Sequence, residues 1–500
     1  MKIESGRFST HLSRMHATLA CGVLSLTLAG CGGGSDSTPS LVALAQAPAA
    51  ALAPTLKPTP VPLLAAAGPT YAGENDAVDV WNRRAVITLT NGPSAPAPTP
   101  PGVGFAPTVA FIHLAIVQGA VYDAVNAIKG GHDPYLNGLK APSSASKDAA
   151  ASTAAHDVLI GLVDQVPIAG AVTGGVKSTI KTRLDAEYDS SLGEIPEGQA
   201  KVKGIEVGAE AAAAMLANRQ GDGRFGAPGF PVGSGPGQWR PVGPGFGNDP
   251  NGWVRSVRPF TLPSPENFHT SGPSALTSAQ YTAEFNEVKA LGRATQSTRT
   301  PAQTSLAYWS AGHPVPMLYA AMRQVSASKG LTITEQARFH AMTSMTAADS
   351  LINCWAEKAH WSFWRPTTAI QLAADDGNPA TVADAAWTSL LAVPPYGDEP
   401  SGANCVFSGV MNGAKAFFGS DQAEFDITSP GIGSGTGSTR HYSNFSGVIG
   451  DMIEARILGG LHFRRGDVNG AILGQRVAEF VDTNFFNCGS PGQCSQEARE

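Results

Sequence analysis

The chain has 500 residues, 42% of them hydrophobic and 15% charged, with a formal net charge of −6. That balance suits one large globular domain or two ordinary ones, and with this slight acidity nothing suggests a nucleic-acid partner. No run of about eighteen apolar residues is apparent, so no membrane span is expected, while 57 glycines and 37 prolines imply long stretches of loop or linker.

Residues 1–31 read as an export signal. Lys2, Arg7 and Arg14 precede an apolar stretch from Ala17 to Leu28, the charge-then-apolar layout of a secretory leader. The stretch ends in Leu28-Ala29-Gly30-Cys31, which resembles a bacterial lipobox, so Cys31 is the expected lipidation site. A lipid on Cys31 would tether an exported protein to a bacterial membrane, on its periplasmic or cell-surface side, as its only membrane contact. Residues 32–75 are rich in Ala, Pro, Ser and Gly and cannot bury a core; they read as a flexible linker.

Residues 76–500 read as an all-α domain. A helical pattern starts at Val78, Val80 and Trp81, and apolar periodicity recurs over Val109–Ile128, Ala150–Val163, Ile205–Leu216 and Tyr281–Leu291. Between Gly221 and Pro273 runs a Gly/Pro-rich passage holding Trp239, Trp253 and Phe260, whose tryptophans would suit a cover over a site. Thr332-Ile333-Thr334-Glu335 is a capping box that opens the clearest helix, with Phe339, Met342, Met345, Ile352 and Trp355 as its buried stripe. A last helix is expected over Val468–Phe485, and alternating strands are scarce.

Four cysteines fall in the domain: Cys354, Cys405, Cys488 and Cys494. An even number in an oxidising compartment favours disulfides. Cys488 and Cys494 enclose a short loop and are expected to pair, leaving Cys354 for Cys405; the alternative for the latter two is a pair of free buried thiols.

Three segments could hold a tetrahedral oxyanion. In the first, Lys358 and Arg365 lie about two helical turns apart, and Pro366 should end or kink the helix and turn the guanidinium inward. The second, Pro400-Ser401-Gly402-Ala403, opens a helix running to Phe418, whose first N–H groups lack intrahelical partners. The third places Arg456 and His462 around Gly459-Gly460, with Asp467 following as a group that could fix the imidazole tautomer.

In order and spacing, these segments resemble the Lys-x6-Arg-Pro, Pro-Ser-Gly-His and Arg-x5-His-x3-Asp signature of the vanadium haloperoxidases and type 2 phosphatidic-acid-phosphatase-like enzymes, most closely the bacterial soluble haloperoxidase-like branch. Trp81-Asn82, Asp123–Ile128, Asn286–Lys289 and Gly460–Arg464 extend the resemblance over most of the span from Val78 to Phe485. The resemblance implies an all-helical fold in which Lys358, Arg365 and Arg456 neutralise vanadate or phosphate, and Ser401 and the Gly402 N–H complete the cradle. It also implies that His462 binds vanadium axially or, in a phosphatase, attacks phosphorus.

The sequence departs from the signature twice. The family's acid–base histidine falls on Ala403, for which His360, His441, Asp398 and Glu399 are the candidate substitutes; Asp467 stands one residue later than usual. The leading expectation is a vanadate-dependent haloperoxidase acting on hydrogen peroxide and a halide or small organic substrate. A phosphate monoesterase working through a phosphohistidine at His462 is the second expectation, and a catalytically silent oxyanion-binding lipoprotein is the third.

Overall fold

The first helix among the described residues, α1 (Ala77–Thr90), is capped by Asp76, whose carboxylate accepts from the Val78 and Asp79 N–H groups. The structure is a computed structural model that describes residues 76–92, 99–243, 245–430 and 437–489. The expected leader, Cys31, the linker and Cys494 lie outside those residues.

The next helix, α2 (Pro107–Lys129), is apolar on every side and buried along almost its whole length. By length and mean hydropathy alone it could cross a membrane, although His113, Gln118, Asp123 and Asn126 break its apolar run. Its neighbours cover it completely, as befits the core helix of a large domain. Around it pack α1, α3 (Lys147–Gln165) and α5 (Gln199–Asn218), with α4 (Gly174–Gly193) against α3. Short α6 (Ala279–Leu291), α7 (Pro301–Trp309) and α8 (Pro314–Ser328) lead to α9 (Ile333–Trp361).

Helix α9 is the axis of the domain. Both hydrogen bonds of the Thr332–Glu335 capping box are present, and the helix packs α2 on one side and α11 (Gly402–Phe418) on another. It ends at Ser362 in the left-handed conformation, before Pro366. Pro366 therefore does not break α9, as expected from sequence, but opens the short helix α10 (Pro366–Gln371), where its missing N–H costs nothing.

A hairpin of β1 (Gln422–Ser429) and β2 (Ser438–Asn444) follows, the only sheet among the described residues, and the fold is otherwise all-α. Helices α12 (Phe445–Leu458) and α13 (Arg464–Asn484) are the last among the described residues. Along α13, Gly470 and Gly474 face α11 so closely that a Cβ would stand 2.5 Å from the Ser401 carbonyl and 2.2 Å from that of Cys405. This contact locks the start of α11 to the turn that carries His462.

The Gly/Pro-rich passage is pinned by a polar stripe on α9. Asp349 accepts from the N–H groups of Phe260, Thr261 and Leu262; Asn353 pairs with both backbone groups of Phe268; Glu357 accepts from Thr270 N–H and meets His269. Positions i, i+4 and i+8 share one helix face, so this stripe replaces the secondary structure that the passage lacks.

Cys354 and Cys405 are buried free thiols, which overturns the disulfide expected between them. Cys354 Sγ donates to the Pro400 carbonyl at 3.7 Å and also contacts Cys405. Cys488 is disulfide-bonded, and its partner lies outside the described residues.

Candidate active site

Four elements converge on one buried pocket: the end of α9, the N-terminus of α10, the loop 396–401 with the start of α11, and the α12–α13 turn. Arg365 is the N-cap residue of α10 and fully buried. Its Nε donates to the Tyr396 carbonyl at 2.8 Å and its Nη1 to the Leu461 carbonyl at 2.8 Å, while Nη1 also lies 2.9 Å from His462 Nε2. Nη2 is buried without a hydrogen-bond partner, and so is Arg456 Nε. Two buried guanidinium donors are thus left open near one imidazole, available to an anion.

His462 is almost fully buried. Desolvation, reinforced by the charges of Arg365, Lys358 and Arg456, holds its pKa well below the usual histidine value, so the ring is neutral at physiological pH. With Nε2 facing the Arg365 donor, the ring proton belongs on Nδ1. That nitrogen lies 3.0 Å from Asp398 Oδ1, a close approach that is off the hydrogen-bond line, since Oδ1 has no hydrogen-bond partner.

Asp398, not Asp467, is thus the acidic group beside the imidazole. No hydrogen bond or ion pair among the described residues joins Asp467 to His462. The Asp467 carboxyl turns instead toward α11, where Asn404 Nδ2 donates to it at 2.8 Å and Ser401 also bonds it. Its position on the first turn of α13 aims it at the N-terminus of α11, across the close contact made by Gly470. Burial pushes its pKa well up.

Lys358 is also fully buried, with its Nζ on the carbonyls of Gly397, Asp398 and Pro400. All three ammonium protons are spent on this loop, so Lys358 bears on an anion through its charge and by shaping the loop. Burial, with Arg365 nearby, lowers its pKa to about 8. Ser401 is the N-cap of α11, but its Oγ bonds no backbone N–H of the first turn and instead accepts from the Asn404 side chain at 3.2 Å. The first N–H groups of α11, from Gly402 onward, have no intrahelical acceptors and no side-chain cap. A Cβ at Gly402 would lie 2.8 Å from the Trp355 ring, so the glycine lets the helix start sit on that indole.

The structure separates the four candidates for the role missing at Ala403. His360 is exposed at the end of α9, against His269 and Trp361. His441 is exposed on the hairpin, between Glu424 and Asp426. Neither belongs to the pocket. Asp398 and Glu399 do: burial raises their carboxyl pKa values to about 7 and about 8. Glu399 accepts from Asn469 and Thr270, leaving Oε2 unpartnered.

Sequence reasoning missed Tyr396. Its ring lies 5.1 Å from both Lys358 Nζ and the Arg365 guanidinium, and 4.9 Å from the Trp355 ring. An aromatic face between two cations stabilises both. The Gly221–Pro273 passage packs on this wall: Asp249 accepts from Trp355 Nε1, and Phe230 contacts Tyr396.

Comparisons with known proteins bear on this geometry. Residues 338–487 match the family model of the VCPO second helical-bundle domain, a span holding all three oxyanion segments. A bacterial vanadium-dependent iodoperoxidase superposes with a TM-score of 0.65 at 20% identity, covering 83% of this chain and 97% of its own. The fold is that of the vanadium haloperoxidase superfamily. A holo-type bacterial vanadium-dependent chloroperoxidase matches with a TM-score of 0.61 at 16% identity, over 82% of this chain and 97% of its own. The apo-type structure gives a TM-score of 0.60 at 17% identity, over 79% and 97%. The comparison with curated proteins finds no match to this chain. Within the haloperoxidase fold, the departure at Ala403 falls on the second residue of α11, next to Gly402.

Proposed function

We propose that this protein is a vanadate-dependent haloperoxidase, oxidising a halide with hydrogen peroxide at the Arg365–Arg456–His462 pocket. In the overall reaction the halide gives up two electrons to form hypohalous acid, and peroxide with one proton is reduced to water. The observation that carries the reading is the pair of buried, unpartnered donors, Arg365 Nη2 and Arg456 Nε, beside a neutral imidazole.

The residues present fit vanadate. Arg365 and Arg456 would neutralise its oxygens with charge-assisted hydrogen bonds, the N–H groups at the start of α11 would add donors, and His462 would offer Nε2 to the metal. Bound vanadate supplies Lewis acidity toward peroxide. The chain's own work is to hold His462 neutral, to keep two guanidinium donors pre-aimed with the Lys358 charge nearby in a dry site, and to keep proton-holding carboxyls close. With Ala403 unable to move a proton, Asp398 and Glu399 are the buried groups that can hold one at neutral pH.

The test is peroxide-dependent iodide and bromide oxidation by vanadate-loaded protein, beside Ala403→His and His462→Ala. Activity in wild type that His462→Ala removes supports the reading. Turnover of a chromogenic phosphate monoester, inhibited by vanadate, would replace it with the phosphatase reading. Oxyanion binding without either activity would leave an oxyanion-binding protein. We further propose export and lipid attachment at Cys31, which radiolabelled palmitate incorporation in wild type and not in Cys31→Ser would support.

A further inference from the structure

Beside the oxyanion pocket lies a cleft of about 580 Å³ lined by α10, the segment 388–393, residues 240–243 and Phe246. Two of its walls belong to the chain that builds the pocket. Thr367 stands two residues after Arg365, and the Leu391 N–H donates to the carbonyl of Gly459, three residues after Arg456. We propose that this cleft binds a small organic carboxylate with a ring-sized apolar body.

The argument for an anion starts from Arg240. Its Nη2 donates to the carbonyls of Gly235 and Gln238, its Nε is buried without a partner, and no carboxylate pairs with it among the described residues. Thr367, also on the cleft, is only 5% exposed. A guanidinium on a cleft wall with no carboxylate to pair it points to an anion supplied by a ligand. One guanidinium matches a single carboxylate. A phosphoryl group would bring a second charge with nothing here to meet it.

The apolar body follows from the rim. Phe246 is 72% exposed, the highest value among the large hydrophobic residues described, and Leu372 is 37% exposed; both line this cleft, as does Val393. Exposed apolar side chains gathered around a concave, partly polar site mark ligand binding more often than chance exposure. The volume falls within the range of about 300–1,000 Å³ usual for small-molecule sites. A ligand held there would lie beside the pocket, where an organic co-substrate of the proposed oxidation belongs. The binding itself needs neither vanadate nor peroxide.

Calorimetry and saturation-transfer NMR with benzoate on the full chain, without vanadate, test the site. Benzoate should bind, with benzamide and acetate each at least ~10-fold weaker, the loss expected when one charge-assisted contact or the ring burial is removed. Arg240→Gln should weaken benzoate ~10-fold or more, and Val393→Trp, which fills the cleft, should abolish its binding. Tungstate affinity at the Arg365–Arg456 pocket should hold in both variants, which also shows that they fold. Saturating tungstate should leave benzoate bound; displacement would place benzoate in the oxyanion pocket and overturn the proposal. So would wild-type protein that fails to bind benzoate at millimolar concentration, or Arg240→Gln with unchanged affinity. Because tungstate binding is read separately, failure here is distinct from failure of the haloperoxidase reading.

Discussion

Arg365 Nη1 stands 2.9 Å from His462 Nε2 while Asp398 Oδ1 stands 3.0 Å from Nδ1, so the imidazole is held between a guanidinium and a carboxyl. Hydrogen positions follow from the hydrogen bonds: a neutral ring protonated at Nδ1 is the form that lets Nε2 accept from Arg365 Nη1. The same arrangement spends the Nε2 lone pair on Arg365 Nη1, a bond that a metal at Nε2 would have to displace. A ring protonated at Nε2 would put donor against donor.

Oxyanion affinity should fall as pH rises through 7 to 9. Asp398 and Glu399, raised to about 7 and about 8, acquire negative charge in that window, and Lys358, lowered to about 8, loses its positive charge. All three changes oppose an anion. Tungstate, whose own charge is constant there, should bind progressively more weakly in calorimetry; Asp398→Asn with Glu399→Gln should flatten the decline. Stability shows the same signs. These carboxyls bind protons more tightly folded than unfolded, so stability falls as pH rises from about 4 toward 8. His462, depressed by burial, acts oppositely, and its contribution is lost as pH falls below the unfolded value near 6.5. A pH-independent tungstate affinity would show that these carboxyls do not sense the bound anion.

Arg365 and Arg456 should differ in what their removal costs. Each offers an open donor, but Arg365 also anchors the Leu461 and Tyr396 carbonyls, whereas Arg456 is partly exposed. Arg456→Gln is expected to weaken tungstate by roughly 10–100-fold, the worth of one charge-assisted hydrogen bond, with a nearly unchanged Tm. Arg365→Gln should do the same and lower Tm as well. Equal Tm values would mean that the carbonyl contacts of Arg365 carry no folding energy.

Much of the pocket was legible because its residues sit at element ends, where sequence speaks clearly. Pro366 at N1, Gly402 at a helix start and Gly459-Gly460 between α12 and α13 each punctuate the chain beside a cationic or imidazole side chain. What was illegible came from segments without periodicity. Asp398 and Tyr396 lie in a loop, and nothing local says that one turns to His462 and the other to Lys358 and Arg365. Asp467 stood in the expected place along the chain, yet the glycine-lined approach of α13 to α11 turned it toward Asn404. Helix α4 escaped notice because only Ile180 and Leu184 are buried along it. The β1 strand alternates properly, with Ala423, Phe425 and Ile427 inward, but over too short a run to stand out.

Gly402→Ala should damage the pocket through packing. Its new methyl would meet Trp355 Cζ3 at 2.8 Å and Cη2 at 3.0 Å, inside ordinary contact, and that ring is fixed by its bond to Asp249. Overpacking of this kind costs about 1–3 kcal/mol, so a lower denaturation midpoint in urea and weaker tungstate binding are expected. Gly402→Ala combined with Trp355→Phe should recover the midpoint by giving the methyl room. If the double variant is less stable than the sum of the singles, the clash lies elsewhere.

Asp349 lies one helix face away from the chemistry, yet its removal should reach the pocket. Its carboxylate accepts from three consecutive backbone N–H groups and from the Thr261 hydroxyl, all buried. Asp349→Ala would strand those donors, at about 1–3 kcal/mol for each one left unsatisfied, in a passage with little regular structure of its own. The loss should appear first as protease cleavage between Gly221 and Pro273 under native conditions, then as a reduced Tm. Because Thr270, at the end of the pinned stretch, bonds Glu399, and Asp249 holds Trp355 against Gly402, loosening the passage should weaken tungstate binding several-fold. Asp349→Asn keeps one acceptor oxygen and should fall between wild type and alanine in all three measurements. Unchanged cleavage and unchanged affinity in Asp349→Ala would mean that the aromatic residues of the passage, not the polar stripe on α9, hold it in place.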